Sequence, residues 1–306
     1  MNGVVNIDDL RKLAKKRLPK IAYDFIEGGT DDEVGLVTNE QAFRKARIVP
    51  RYLVDVSARD QSTTIFGRTY SSPIGIAPTG LAGLFRHGAD LMLAEAARDA
   101  NVPFIMSGSS TASIEALGKL APDHGWYQLY SAKDANSVAD FVAQQNRAPM
   151  TWKHVERYRS LFKGNFVLKG IMHPDDAIRA HSLGVDGIMV SNHGARQLDN
   201  APSPLEVLPA IRDAVGDKMT VMFDGGIRRG MDAVIALCTG AKFVFQGRPT
   251  LYGVTAGGTA GASKALGIFK REVDLTMAQI GATKISDLGP QFLMWKDEED
   301  LRRNRR

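Results

Sequence analysis

The chain has 306 residues, 39 Lys and Arg against 34 Asp and Glu, 44% hydrophobic residues, 30 Gly and a single Cys. This composition excludes disorder, collagen, disulfide scaffolds and metal–thiolate modules, each of which needs a bias absent here. The net charge of +5, partly carried by Arg302-Arg303-Asn304-Arg305-Arg306, is too dilute to argue for nucleic acid.

The length suits one domain, residues 1–306, of barrel or doubly wound type. Met1 to Asp9 lack the basic and apolar regions of a secretory signal, and no run of about 18 apolar residues occurs. A cytoplasmic protein is the expectation. Cys238, between Leu237 and Thr239 in a helical pattern, reads as a buried structural thiol.

In chain order, residues 1–30 predict two short helices. Asn6 or Asp8 caps the first, Pro19 separates them, and Gly28-Gly29 stop the second, which carries Tyr23-Asp24-Phe25. A polar stretch follows. From 70 to 285 short apolar runs alternate with helical patterns. The predicted strands are Ile74–Ala77, Val102–Met106, Trp126–Tyr130, Phe166–Lys169, Gly187–Ser191, Met219–Asp224 and Ala241–Gly247. Helices are expected at 88–100, 113–120, 174–183, 204–215 and 229–238, with a longer one near 262–280. Such alternation means a parallel sheet covered by helices on both faces.

The strand starts at 126 and 166 are the most widely separated, and only two helical patterns, Ser137–Gln145 and Trp152–Phe162, lie between them. Seven strands are one short of a closed (β/α)₈ barrel, and this interval is where the eighth belongs. An open seven-stranded sheet satisfies the same count.

In a barrel, chemistry gathers at the C-terminal strand ends, and the polar residues gather there too. The strands deliver Pro78-Thr79-Gly80, then Ser107, then Gln128 with Tyr130, then Lys169-Gly170. After these come Ser191-Asn192-His193-Gly194-Ala195-Arg196, Asp224-Gly225-Gly226-Ile227-Arg228 and Gly247-Arg248-Pro249. The last two turns, with Arg228 and Arg248, carry a phosphate signal, because Gly-rich loops after the final two strands present backbone N–H groups. Lys169 at the end of a buried strand needs an anionic partner, and its role could be a Schiff base, a salt bridge or support of an anionic cofactor. His193 and Arg196 place a base and a carboxylate clamp in one loop, which suits proton or hydride removal from a small acid. Neither Gly-x-Gly-x-x-Gly after an early strand nor a P-loop occurs, and the glycine-rich Gly253 to Lys264 run misses both spacings.

These segments, with Trp126-Tyr127-Gln128-Leu129-Tyr130, Ser191 through Asp199 and Asp224 through Gly230, closely resemble the FMN-dependent 2-hydroxy-acid oxidases and dehydrogenases over nearly the whole chain. The resemblance implies a (β/α)₈ TIM barrel of the FMN-linked type with an N-terminal helical segment and one β/α unit missing. It implies FMN as cofactor and a mandelate-like (S)-2-hydroxy acid as substrate, oxidised to the 2-oxo acid with quinone or oxygen as electron acceptor. By the same resemblance His193 is the active-site base, and Arg196 binds the substrate carboxylate with Tyr23 and Tyr130. Lys169 supports the reduced ring. Pro78, Thr79, Gly80, Ser107, Gln128 and Ser191 contact the flavin, and Asp224, Gly226, Arg228, Gly247 and Arg248 hold the ribityl phosphate. Gly80 is similar to the dehydrogenase branch that includes the (S)-mandelate dehydrogenases, and a homo-oligomer, a tetramer in the family, is implied.

One departure is large. The family's Thr-x-Asp strand, the loop with two arginines and the long segment after it have no counterpart between Tyr130 and Lys169, which puts a deletion near 131–140. The resemblance then implies a His193 without its carboxylate partner, an Arg196 acting alone, and loss of the segment that attaches some members to membranes. It also leaves an FMN-binding but catalytically impaired protein as the alternative. An isomerase or aldolase with Lys169 as nucleophile is the reading from another class.

Overall fold

The computed structural model describes residues 1, 3–129 and 150–296. The helix pattern Ser137–Gln145, the deletion point near 131–140 and Tyr130 lie outside the described residues.

Seven strands form one parallel sheet. They are β4 (Ile74–Ile76), β5 (Phe104–Met106), β6 (Gly125–Tyr127), β7 (Val167–Ile171), β8 (Gly187–Val190), β9 (Thr220–Asp224) and β10 (Phe243–Gln246). Their order is β6-β5-β4-β10-β9-β8-β7. Val244 of β10 stands beside Ile74 of β4, so the last strand of the series bonds to the first and the sheet curls round. Among the described residues, β6 and β7 each pair on one side only. The opening therefore falls in the widest interval between predicted strands, and the curl answers the open-sheet alternative.

Most helices coincide with the sequence pattern: α4 (Ala89–Asp99), α5 (Ile114–Leu120), α6 (Trp152–Leu161), α7 (Pro174–Ser182), α8 (Pro204–Val215) and α9 (Gly230–Cys238). The final helix is longer than expected. It runs Arg248–Ile280 as α10, with two non-helical residues, Gly257 and Gly258, at a kink. A Cβ on Gly261 would stand 1.9 Å from the Gly253 carbonyl oxygen, so the glycine-rich run lets the two halves fold against each other. At the N-terminus are α1 (Ile7–Arg17), whose Asn6 and Asp9 form a reciprocal capping box, and α2 (Lys20–Glu27).

The polar stretch proves to be structured. It holds α3 (Val34–Lys45), β1 (Ala46–Ile48), which pairs with β11 (Leu293–Trp295), and a hairpin of β2 (Thr63–Ile65) and β3 (Arg68–Tyr70). Phe66 and Gly67, at φ 49° and 78°, make the two-residue turn between β2 and β3, a geometry suited to twisted strands.

Strand alternation divides the core in two. Ile74, Ile76, Phe104, Met106, Ile188, Val190, Val221, Phe223 and Val244 belong to the large cluster under the helices. The other face, Ala77, Ile105, Met189, Met222, Phe243 and Phe245, packs inside the curl against Ile65 and Tyr70 of the hairpin, with Phe66 and Trp126 at its edge. The hairpin thus closes the floor. Cys238 is fully buried, and burial raises its thiol to about 12. Among the described residues no helix is long and apolar enough to cross a membrane.

Candidate active site

The site follows from the two-residue period of the strands. Two positions beyond the inward apolar layer, the chain places Ser107 after Ile105, Gln128 after Trp126, Lys169 after Val167, Ser191 after Met189 and Asp224 after Met222. A polar ring therefore sits on an apolar floor at the C-terminal strand ends.

The ring is cross-linked. Lys169 Nζ donates to Ser191 Oγ at 2.7 Å and pairs with Asp224 Oδ2 at 2.9 Å, with side chains only 19% and 10% exposed. Ser107 Oγ donates to Gln128 Oε1 at 3.3 Å and accepts from the Ser109 N–H at 3.1 Å. Ser191 Oγ also accepts from the His193 N–H at 3.1 Å. Asp224 Oδ1 is buried without a hydrogen-bond partner. An unmet acceptor of this kind calls for a donor from outside the chain.

The loop after β8 turns through three successive left-handed residues, His193, Gly194 and Ala195. It is held by a reciprocal amide pair: Asn39 Nδ2 donates to Asn192 Oδ1 at 3.0 Å, and Asn192 Nδ2 donates to Asn39 Oδ1 at 2.8 Å. Asp199 accepts from the Gly35 and Val34 N–H groups at 2.7 and 3.2 Å, capping α3 from a distant part of the chain. These N–H groups, Gly35 first, hold its carboxyl below the usual range. Asn39, Asn192 and Asp199 were given no role by sequence reasoning, because their partners lie more than 150 residues away.

His193 is half-buried. Burial first, then the charges of Lys169, Arg196 and Arg248, push its imidazole down to about 4 against an opposing pull from Asp224. Its neutral form is the resting one at neutral pH.

The arginines differ in what they leave open. Arg248 donates from Nε to Ile26 O at 2.8 Å, from Nη2 to Gly28 O at 2.9 Å and from Nη1 to Gly194 O at 3.2 Å, so each of its three nitrogens is engaged by a carbonyl. Burial, helped by the charge of Arg228, brings it down to about 10. Arg228 pairs with Glu40 at 3.0 Å and donates to its neighbour's carbonyl, Ile227 O. Arg196 uses Nη1 alone, toward Phe25 O and Gly28 O at 2.8 and 2.7 Å. Among the described residues its Nε and Nη2 have no partner, and that edge is the one a carboxylate takes in bidentate fashion.

Tyr23 does not join this group. It is buried against α1, where Lys15 Nζ stands 5.5 Å from its ring centre, and burial, with Glu27 adding to it, raises its hydroxyl. Two residues further round a helix is a turn of roughly 200°, and it is Phe25 whose ring covers the Arg196 guanidinium at 4.8 Å. The helical period was the signal that could have found it.

A cofactor with an electron-poor ring and a phosphate fits this donor set. Lys169 would supply a cation to such a ring, Gln128 and the serines would supply donors and acceptors for a heterocycle's edge, and the unmet Asp224 oxygen could accept from a sugar hydroxyl. Around them stand Arg196, Arg228 and Arg248, and burial first, then the charges of Arg228 and Arg196, lower Arg248.

The family profile described as FMN-dependent dehydrogenase matches residues 14–150 and 131–295. The doubly matched stretch 131–150 marks where the profile breaks. A 2-hydroxyacid oxidase of Dictyostelium discoideum is 34% identical over 361 positions, covering 99% of this chain and 93% of the relative. The (S)-mandelate dehydrogenase of Pseudomonas putida is 34% identical, covering 95% of this chain and 94% of the relative. An alignment of 361 positions that takes in 99% of 306 residues leaves several tens of positions facing a gap here, as the deletion requires. Among solved structures, a monotopic membrane (S)-mandelate dehydrogenase superposes with a TM-score of 0.90 at 32% identity, covering 96% of this chain and all of that one.

Proposed function

The chain belongs to the FMN-dependent dehydrogenase family, and we propose that it oxidises a 2-hydroxy acid to the 2-oxo acid. The relatives support this reading by their names, which include 2-hydroxyacid oxidase, (S)-mandelate dehydrogenase and L-lactate oxidase. The observation that carries it is the free edge of Arg196 beside a neutral His193. Arg196 clasps the acid's carboxylate through Nε and Nη2, and the clasp sets the α-carbon and its hydroxyl beside the imidazole. His193 takes a proton from the substrate. FMN, when bound, takes up the two electrons.

Lys169, Ser191, Gln128 and Ser107 would hold the ring, with Pro78, Thr79 and Gly80 along it and Asp224 on the ribityl chain. Lys169 puts positive charge where negative charge grows on reduction. Gly226, Gly247 and the start of α10 would receive the phosphate, with Arg228 supplying charge. Arg248 supports this indirectly, because its fork ties α2 to the loop of Gly194. Tyr130 completes the substrate side in this reading, as the resemblance implies. Acceptor choice between quinone and oxygen, a cytoplasmic location and a homo-tetramer belong to the same proposal.

A second reading, an FMN-binding protein with impaired catalysis, is favoured by one feature. Three cations and a single carboxylate influence His193, so a proton it accepts is poorly held. Anaerobic titration of the purified flavoprotein with (S)-mandelate, lactate and glycolate tests both. Bleaching of the flavin absorbance establishes oxidation, whereas a yellow protein that no acid bleaches supports the second reading. A colourless protein that FMN cannot reconstitute would refute both.

A further inference from the structure

Four guanidinium hydrogen bonds converge on the end of α2: Arg196 Nη1 donates to Phe25 O and Gly28 O at 2.8 and 2.7 Å, and Arg248 donates to Ile26 O and the same Gly28 O at 2.8 and 2.9 Å. Among the described residues neither arginine pairs with a carboxylate. Their charge is met instead by the negative end of a helix, so the direction of both forks follows these carbonyls.

Helix α2 is weakly held by its own means. It has eight residues, too few for a helix to persist alone, and buries only Tyr23 and Ile26. Glu27, placed between the carbonyls of Ile26 and Gly28, supplies an outside hold. Its Oε2 accepts from Arg11 Nε at 2.9 Å and stands 2.7 Å from Arg11 Nη2, which ties α2 to α1. The Tyr252 hydroxyl, buried on α10 one turn after Arg248, bears on the same carboxylate. Burial opposes the charge of Glu27, but Arg11 and Tyr252 outweigh it and hold the carboxyl below the ordinary range.

We propose that Glu27, clamped by Arg11, is a positioning residue: it fixes the carbonyls of Phe25 and Gly28 and through them aims the free Nε and Nη2 edge of Arg196. The inference rests on Arg196 being the carboxylate clasp. Because Nη1 is bound to two carbonyls at once, a shift of the helix end turns the whole planar guanidinium. A bidentate clasp depends on that plane, since both N–H bonds must meet the carboxylate together. Releasing Glu27 therefore weakens acid binding without removing any group that touches the acid.

The test measures binding of oxalate, an acid with no α-hydrogen to lose, to the FMN-loaded protein by flavin absorbance perturbation, beside the melting temperature of each variant. Glu27→Gln and Arg11→Met should each raise the oxalate Kd about tenfold, the size of one charge-assisted hydrogen bond lost. Arg11→Lys keeps the charge and should stay nearer wild type. The double variant Glu27→Gln, Arg11→Met should bind no more weakly than either single one, since the pair acts as a unit. The Arg11 side chain is 47% exposed, so Arg11→Met gives a reading even where Glu27→Gln folds poorly. Asp274→Asn weakens a two-nitrogen ion pair with Arg59 that involves neither α1 nor α2, and should lower the melting temperature while leaving the oxalate Kd unchanged. If Arg196→Lys weakens oxalate but Glu27→Gln and Arg11→Met do so no more than Asp274→Asn, the positioning role is overturned and the clasp stands. If wild type binds no oxalate, or Arg196→Lys leaves its Kd unchanged, the clasp itself is wrong and the positioning role falls with it.

Discussion

His193 makes a prediction about stability that needs no turnover. Its imidazole is held at about 4 by burial and by Lys169, Arg196 and Arg248, against an ordinary value of 6.5. Between those values the unfolded chain binds a proton that the folded one refuses. The folded state therefore keeps its full stability above pH 6.5 and loses it as pH falls toward 4, at up to about 1.4 kcal/mol per pH unit. Over the whole window the loss is about 3 kcal/mol, a large part of a typical folding free energy. The assay is urea unfolding at several pH values from 7.5 to 4, with wild type and His193→Gln treated identically. Subtracting the variant removes every other titrating group. Wild type should fall relative to the variant on acidification, and the histidine should titrate near 4 by NMR. Parallel curves, or a wild type that gains on the variant as pH falls, would show that the imidazolium has a compensating carboxylate, and the account of the site's charge would be wrong.

Three further outcomes follow from the same geometry. Lys169→Met leaves Asp224 buried with neither oxygen paired, and should cost about 3–5 kcal/mol in urea unfolding, most of it recovered in the Lys169→Met, Asp224→Asn double variant. Gly226→Ala places a methyl group 2.3 Å from the Asn39 carbonyl oxygen at a φ of +74°, and should lower stability by at least about 2 kcal/mol, seen as a fall in melting temperature. Asn192→Ala breaks both bonds to Asn39 and should cost about 2 kcal/mol, with little added by Asn39→Ala, since the pair fails as a unit.

The seven strands were legible because each is a short apolar run ending in polar residues, and a buried parallel sheet demands that pattern. Even the gap could be read, from the distance between Trp126 and Phe166. The segment from 31 to 72 was not legible, for identifiable reasons. Helix α3 opens on Glu33 at a φ of 61° and takes its cap from Asp199, so no local cap residue announces it. The hairpin turns on Phe66-Gly67 rather than Asn-Gly, and its left-handed phenylalanine is offset by packing, 5.6 Å between ring centres, against Trp126. Helix α10 was shortened because its glycines, read singly, look like breakers; only in the fold do Gly253 and Gly261 face each other. Tyr23 was misplaced because a residue type was matched without its helical phase.

The run from Ser191 to Asp199 shows why one short string can carry so much. The proposed chemistry alone asks for a base and a clasp, the roles proposed for His193 and Arg196. The rest of the string answers to the fold. Ser191 receives Lys169 and holds the His193 backbone, Asn192 locks onto α3, and Asp199 caps that helix. Arg196 itself closes α2 by binding the carbonyl of Phe25 and that of Gly28 just past its end, while leaving its Nε and Nη2 edge open. The N-terminal helices are therefore fastened to the sheet by the loop that carries His193 and Arg196. A substitution in α2 or α3 can reach the site without touching substrate, and the position of Phe25 depends on a carbonyl contact that any movement of Arg196 would release.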